Sequence, residues 1–245
     1  MVAADRTLEL FEAFARVQKP LTLSELAREI GIAPSSCFAL VRTLRDRGYL
    51  YGVGERRMLY PTRRMLDQAT SIAACEPHVA RLLPIMATLR DETGETVILG
   101  RREGNRTNAV VYLHICESRQ TVRYSARAGD LKPLHSTAIG KVVLAGMPPE
   151  ERARFIQKLP KPRITPSTLC SAAALADDLE AGLRRGYQLT SGENVTDVMA
   201  VAMPVVIAGE LFGVCVAGPM HRMSTTHARH ARALRRSLAG VEDPV

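Results

Sequence analysis

The sequence predicts a mixed α+β chain: a small helical front ended by a β-hairpin, then a larger antiparallel sheet flanked by helices. Three observations predict it. Two short helical patterns are joined across Gly31 and followed by a Gly-containing hairpin. The later chain alternates amphipathic helices with strand-like runs, the last two meeting at Ala208-Gly209-Glu210. The 245 residues allow one large domain or two ordinary ones, and 46% hydrophobic with 24% charged residues is a globular balance.

Over residues 7–15, Leu8, Phe11 and Ala15 recur at helical spacing, with Leu10 and Phe14 alongside, until Lys19-Pro20 stops the helix. Thr22-Leu23-Ser24-Glu25 is a capping box: the Thr22 hydroxyl takes the Glu25 amide, and the Glu25 carboxylate reaches back to the Thr22 amide. Leu23, Leu26, Ala27 and Ile30 form the apolar face that follows, and Gly31 fits the left-handed position closing this helix. Pro34 opens the next, being tolerated at a first helical position. Cys37, Leu40, Val41 and Leu44 make its inner stripe and Gly48 ends it. Tyr49-Leu50-Tyr51, a turn over residues 52–55, and the run over residues 56–60 make a hairpin. Together these describe a winged helix-turn-helix over residues 1–61. Residues 62–76 have the pattern of a linker helix.

Residues 77–245 read as the second domain. Helices are expected over residues 77–93, from the "HSTAIGKVVLA" segment onward, over 150–158, over 175–185 and over 225–238. Strand-like runs cover residues 96–99, 109–115, 122–126, 198–207 and 211–217, the last two joined as a hairpin. The Pro-rich stretch over residues 158–166 reads as a loop.

The formal net charge is +8, and its distribution says more than its size. Residues 28–64 hold eight arginines against three carboxylates, a local +5. Arginine forks suit phosphate and guanine; a solvated surface is the plainer reading of the same charges. With Leu40, Val41 and Leu44 inward, a 100° step per residue turns Ser35, Ala39, Arg42 and Asp46 outward, flanked by Phe38 and Arg45. Ser35 and Ser36 stand at the helix start, where hydroxyls and free amides take phosphate oxygens. Phe38 and Ala39 can meet thymine methyls, and Arg42 guanine or phosphate. Arg56 and Arg57 on the hairpin can reach backbone or minor groove. Arg63, at the start of the linker, faces either DNA or solvent.

Several classes are excluded or left without support. There is no run of eighteen apolar residues to span a membrane. Asp5, Glu9 and Glu12 stand where a signal peptide would be basic and then apolar, so a cytoplasmic location is expected. The five cysteines are widely spaced with no C-x-x-C, so buried reduced thiols are expected. The six histidines are scattered without nearby carboxylates, and neither metal nor cofactor is expected. "HSTAIGK" is not a phosphate loop, because its first Gly would fall on His135 and Val142 replaces the Ser or Thr. Ser136 and Thr137 instead sit at a helix start, as caps or as ligand contacts. No G-x-S-x-G, metal-spaced cluster or paired-carboxylate word supports an enzyme.

The words "LSELAREIGIAPSS…LVRTLRDRGYL", "LKPLHSTAIGKVVLAGMPPEE", "RRGYQLTSGEN" and "VAMPVVIAGELFGVCVAGP" occur in one order over nearly all of residues 5–238. In these the chain resembles the IclR family of bacterial transcription regulators. The resemblance implies a winged helix-turn-helix followed by a GAF-like effector-binding domain. It also implies a homodimer or dimer of dimers that binds double-stranded operator DNA and answers to a small organic or aromatic acid. The effector pocket it implies lies among Val122, Arg123, Ala138, Ile139, Thr190, Cys215 and Ala217. Residues 193–199 lie over that pocket, including Asp197 where the family often has Gly. Ala39 replaces a frequent basic residue of the reading helix, and Tyr60-Pro61 replaces a Leu-Gly after the wing. Small and apolar residues at 138, 139, 215 and 217 point to an aromatic acid or similar catabolite rather than a two- or three-carbon acid. The alternative is a small-molecule sensor or enzyme-like domain whose front helices serve mainly for dimerisation.

Overall fold

The computed structural model describes residues 3–54, 57–74, 77–104 and 108–241, of which 74 and 77–79 are described for backbone only. The chain divides into two compact units, Met1–Glu76 and Pro77–Val245.

The first unit is built on α1 (Ala3–Val17), α2 (Leu23–Glu29) and α3 (Pro34–Asp46), the strands β1 (Leu50–Val53) and β2 (Met58–Pro61), and α4 (Arg64–Ala74). Both halves of the Thr22–Glu25 capping box are present. After α2 and after α3 the chain turns through a left-handed glycine, Gly31 at φ 65° and Gly48 at φ 75°. In each case the amide beyond the glycine folds back onto the helix, Ile32 to the Ala27 carbonyl and Tyr49 to the Leu44 carbonyl. This closure sets the angle between α2 and α3. β1 and β2 pair antiparallel, and Leu21 adds a third, one-residue rung through mutual amide–carbonyl bonds with Leu59. Leu10, Phe14, Leu26, Cys37, Val41, Leu44 and Leu59 fill the core beneath. Edge-on ring contacts of Phe11 with Tyr49 and of Phe14 with Tyr60 pin α1 to the hairpin region.

The second unit begins with α5 (Pro77–Thr93) and the strands β3 (Thr96–Arg102), β4 (Ala109–Cys116) and β5 (Leu131–Pro133). Three helices follow: α6 (Ala138–Ala145), α7 (Pro149–Lys158) and α8 (Ala172–Arg185). The strands β6 (Gln188–Ser191), β7 (Val198–Ile207) and β8 (Glu210–Pro219) lead into α9 (Met220–Leu238). The six strands form one antiparallel sheet in the order β5-β4-β3-β8-β7-β6. The β7–β8 turn is Ala208-Gly209, with φ 49° and 75°, as a two-residue hairpin twisted to match its strands requires.

The sheet divides the core in two. Val97, Leu99, Val201, Val214 and Val216 face α5 and α9, packing with Leu82, Met86, Met223 and Leu234. Ile98, Ala200, Ala202, Cys215 and Ala217 face the other way, toward α6 and α8. The side chains alternate as the strand period dictates. One register shift interrupts it: Leu99 pairs with His114 but Gly100 with Tyr112, a bulge that leaves Leu113 without an opposite number.

The strand expected over residues 122–126 does not form. That stretch is irregular, with the Tyr124 carbonyl taking the Thr96 hydroxyl and the Val122 carbonyl taking the Arg222 guanidinium. β5 and β6, too short to show a period, were not expected. Among the described residues no helix is long and apolar enough to cross a membrane.

Candidate DNA-reading helix and effector cleft

α3 presents its inner stripe of Cys37, Val41 and Leu44 to the core, which leaves a polar and aromatic outer face. Ser35, Ser36, Phe38, Ala39, Arg42 and Arg45 are all exposed. Phe38, at 56% exposure, is a large apolar ring held out in water. Arg42 and Asp46 approach to 3.9 Å, and both side chains are about three-quarters exposed, so Arg42 stays free to turn to another partner. Tyr51 on β1 joins Phe38, Arg42 and Arg45 around a shallow groove between α3 and the wing. Sequence reasoning passed over Tyr51 because it occupied the tyrosine as hairpin alternation. Arg57 is exposed on the turn, at φ 48°, its amide bonded to the Gly54 carbonyl. Arg56 lies outside the described residues. Arg63 is exposed and pairs with Asp67 at 3.6 Å, one turn along the linker helix. Arg64 is spent on the Tyr49 ring, 5.4 Å from its centre.

In the second unit a cleft of about 370 Å³, counting its open mouth, lies between the start of α6 and the sheet. Ser136, Thr137, Ala138, Ile139, Thr190, Cys215 and Ala217 line it, as do Ile98, Tyr112, Tyr124, Asn194 and Val198. The Thr137 hydroxyl donates to the Pro133 carbonyl and accepts from the Gly140 amide, so it is occupied as a cap. Ser136 donates to Asn194 Oδ1 at 3.2 Å, tying the α6 start to the loop after β6. Gly140 is there for closeness: a Cβ would stand 2.2 Å from the Leu134 carbonyl oxygen. The Ala138 and Ile139 amides, in the first turn of α6, point where a helix offers unsatisfied donors.

Three expected pocket residues are corrected. Val122 is 62% exposed and outside the cleft, because its segment is not a strand. Arg123 turns instead to Glu117, at 3.2 Å. Asp197 is exposed, and what it contributes is its carbonyl, which takes the Met220 amide at the head of α9.

The cleft wall carries no charge of its own at neutral pH. Burial pushes the Cys215 thiol up to about 12 and, with Tyr124 beside it, holds the Tyr112 phenol well above its ordinary range. The Tyr112 and Tyr124 hydroxyls are hydrogen-bonded to each other. Behind the cleft, Lys141 on α6 is fully buried. Its ammonium reaches Glu193 Oε1 and Asp178 Oδ2, each at 2.7 Å, and the Leu189 carbonyl at 3.0 Å. Desolvation holds the Glu193 carboxyl above its ordinary value even though Lys141 opposes it. Thr165 and Thr168 donate to the Gly192 and Glu193 carbonyls. The loop over the cleft is thus anchored from below at several points.

Among the described residues, no three His, Cys, Asp or Glu side chains gather as a metal site would require.

The sequence matches the IclR helix-turn-helix domain over residues 3–54 and the bacterial transcriptional regulator IclR C-terminal domain over residues 77–240. It is 32% identical over 224 residues to the HTH-type transcriptional regulator BhcR of Paracoccus denitrificans, covering 91% of this chain and 79% of that protein. To the p-hydroxybenzoate hydroxylase transcriptional activator of Acinetobacter baylyi it is 28% identical over 204 residues, 82% of this chain and 74% of the relative. Among solved structures, Thermotoga maritima IclR matches with a TM-score of 0.80 at 20% identity, covering 96% of this chain and 95% of that one. An IclR homologue from Microbacterium hydrocarbonoxydans, complexed with 4-hydroxybenzoate, matches with a TM-score of 0.73 at 22% identity and covers 98% of both chains. Helix-turn-helix in front, curled sheet behind, and family matches over both: the chain belongs to the IclR family of bacterial transcriptional regulators.

Proposed function

We infer that this regulator binds a specific operator through α3 and the wing, as a homodimer or dimer of dimers, and that an aromatic acid in the cleft modulates that binding. The observation that carries the DNA reading is the outward face of α3. Ser35, Ser36, Phe38, Ala39 and Arg42 are all exposed, Arg42 is only loosely paired with Asp46, and a half-exposed phenylalanine is costly to leave in water without a partner. Ser35, Ser36 and the first-turn amides suit a phosphate, Phe38 and Ala39 thymine methyls, and Arg42 guanine. Arg45, Arg57 and Arg63 supply backbone attraction. A dimer would place two such helices on half-sites about one helical turn apart.

The effector reading rests on a neutral, mostly apolar cleft lined at one end by Ala138 and Ile139 of the first turn of α6. A carboxylate is favoured at such a helix start. One hydroxyl hydrogen of the Tyr112–Tyr124 pair is used between the rings, which leaves the other to donate to a ligand oxygen. Ile98, Ile139 and Ala217 suit a ring. The 4-hydroxybenzoate complex of the Microbacterium homologue and the name of the Acinetobacter activator agree with this class. Fluorescence anisotropy with the DNA upstream of the gene, with and without a series of hydroxybenzoates and two- and three-carbon acids, tests both parts. The expected result is steeply salt-dependent binding that aromatic acids alter. Response to small keto acids alone would refute the aromatic reading, and affinity indifferent to salt would refute the operator reading.

A further inference from the structure

The irregular segment over residues 122–124 brings Tyr124 to the cleft, yet no strand ladder holds it there. Two of its backbone carbonyls are held instead. The Thr96 hydroxyl donates to the Tyr124 carbonyl at 2.6 Å, and the Arg222 guanidinium donates to the Val122 carbonyl at 2.9 Å. Thr96 is fully buried, and its oxygen also takes the Ser118 amide. Arg222 stands in the first turn of α9 and is aimed by Glu95. Its Nε meets Glu95 Oε1 at 2.7 Å and its Nη2 meets Oε2 at 2.9 Å, a forked pair. Nη2 thus has one hydrogen for the carboxylate and one for the Val122 carbonyl. The Glu95 side chain is 3% exposed, and Gly218 makes room for it, since a Cβ there would stand 2.3 Å from Oε2. A buried ion pair is a weak source of stability, because a well-packed apolar pair of similar volume commonly does as well. The bond to the Val122 carbonyl is what an apolar pair could not supply. The same turn of α9 meets the loop on the other side: the Met220 amide donates to the Asp197 carbonyl at 2.7 Å, just beyond Asn194 and Val195 of the cleft lining.

We propose that Arg222 is a positioning residue for effector recognition: aimed by Glu95, it fixes the Val122 carbonyl and so holds the Tyr124 hydroxyl against Tyr112, where the pair meets a ring oxygen of the ligand. The proposal rests on the effector reading of the cleft. One bond, from Thr96, pins the segment at a point and leaves it free to pivot; the second, from Arg222, fixes its direction. A lysine at 222 would keep the charge and lose the aim, since an ammonium on a flexible stem has no planar fork to set against the carboxylate while it donates to a carbonyl. Recognition then depends on both faces of the sheet. The ligand lies on one, and the helix that holds its tyrosine in place packs on the other.

The test uses the full chain with fluorotyrosine at all six tyrosines, read by fluorine NMR, the Tyr124 signal being assigned through Tyr124→Phe. In Arg222→Lys the Tyr124 signal should move, and its difference between light and heavy water should rise toward that of the exposed Tyr51. The Tyr49, Tyr51 and Tyr60 signals should stay where they are. Calorimetric titration then sets 4-hydroxybenzoate against benzoate, which lacks the ring oxygen. Arg222→Lys should weaken 4-hydroxybenzoate about tenfold and benzoate by less than about twofold. Should that variant fail to fold, Glu95→Gln combined with Arg222→Gln serves, because it buries no charge, and the same signature is expected. A lowered Tm with the Tyr124 signal unmoved, the behaviour of a merely structural ion pair, overturns the proposal, and so does an equal loss for the two acids. A wild-type chain that binds neither acid counts against the effector reading, and the fluorine signal alone then decides whether Arg222 holds Tyr124.

Discussion

Single side chains decide most of what this regulator can be tested on. Arg42 is exposed and only loosely paired, so truncating it disturbs no packing. Arg42→Ala should lose about 1–3 kcal/mol of operator affinity with unchanged Tm; equal affinity in an anisotropy titration removes Arg42 from base reading. Lys141 is the opposite case. Lys141→Met leaves Asp178 and Glu193 facing each other without a cation, and should destabilise the second unit by about 3–5 kcal/mol in denaturant unfolding. Adding Glu193→Gln should recover part of that loss. The buried His135 and His230, with the half-buried His114, set a pH response. Desolvation lowers His114, His135 and His230 below the ordinary 6.5, so the unfolded chain takes their protons first. The stability they contribute is complete above pH 6.5 and is lost as pH falls below it. Tm should be flat above neutrality and decline on acidification, with a shallower decline in His230→Leu. A Tm independent of pH between 7 and 5 would contradict this.

At the scale of the element, local chemistry was legible wherever neighbours in sequence are neighbours in space. Thr22 and Glu25, Pro34, Gly31 and Gly48 announced the two front helices and their ends, and Ala208-Gly209 announced the hairpin. That hairpin carries its own test. Ala208 holds a left-handed conformation that costs an alanine more than an asparagine. Ala208→Asn should gain roughly 0.5–1 kcal/mol and raise Tm by about 2 °C, read by calorimetry. Where elements depart from their period, the sequence misled. Counting back by twos from Ile115 puts Leu113, not Tyr112, on the cleft face. The β4 bulge reverses that phase and delivers Tyr112 to the cleft. Val122-Arg123-Tyr124 has strand-like composition, but its backbone is taken by Thr96 and Arg222, so only Tyr124 reaches the site.

At the scale of the molecule, the architecture was legible and the second unit's site only half so. Ala138, Ile139, Cys215 and Ala217, expected through the family's words, line the cleft. Ile98 and Tyr112 enter through strand order and Tyr124 through an irregular segment, neither of which any local pattern states. The Lys141–Asp178–Glu193 cluster joins residues far apart in the chain, and "GK" alone gave no sign of it. Charge, by contrast, was readable at once and predicts a bulk property. If each protomer neutralises phosphates through Arg45, Arg57 and Arg63, the log–log dependence of operator affinity on salt should fall with a slope near −0.9 per contact. Replacing any one of them should reduce that slope by about one unit per protomer without changing which sequence is preferred. The division of the core by the sheet has a consequence for descent. Ala200, Cys215 and Ala217 shape the cleft, while Val201, Val214 and Val216, their neighbours along the same strands, hold α5 and α9. On the proposed effector reading, a lineage that exchanges one metabolite for another by swapping every second residue of β7 and β8 disturbs the core shared with α6 and α8, and leaves the packing of α5 and α9 behind the sheet untouched.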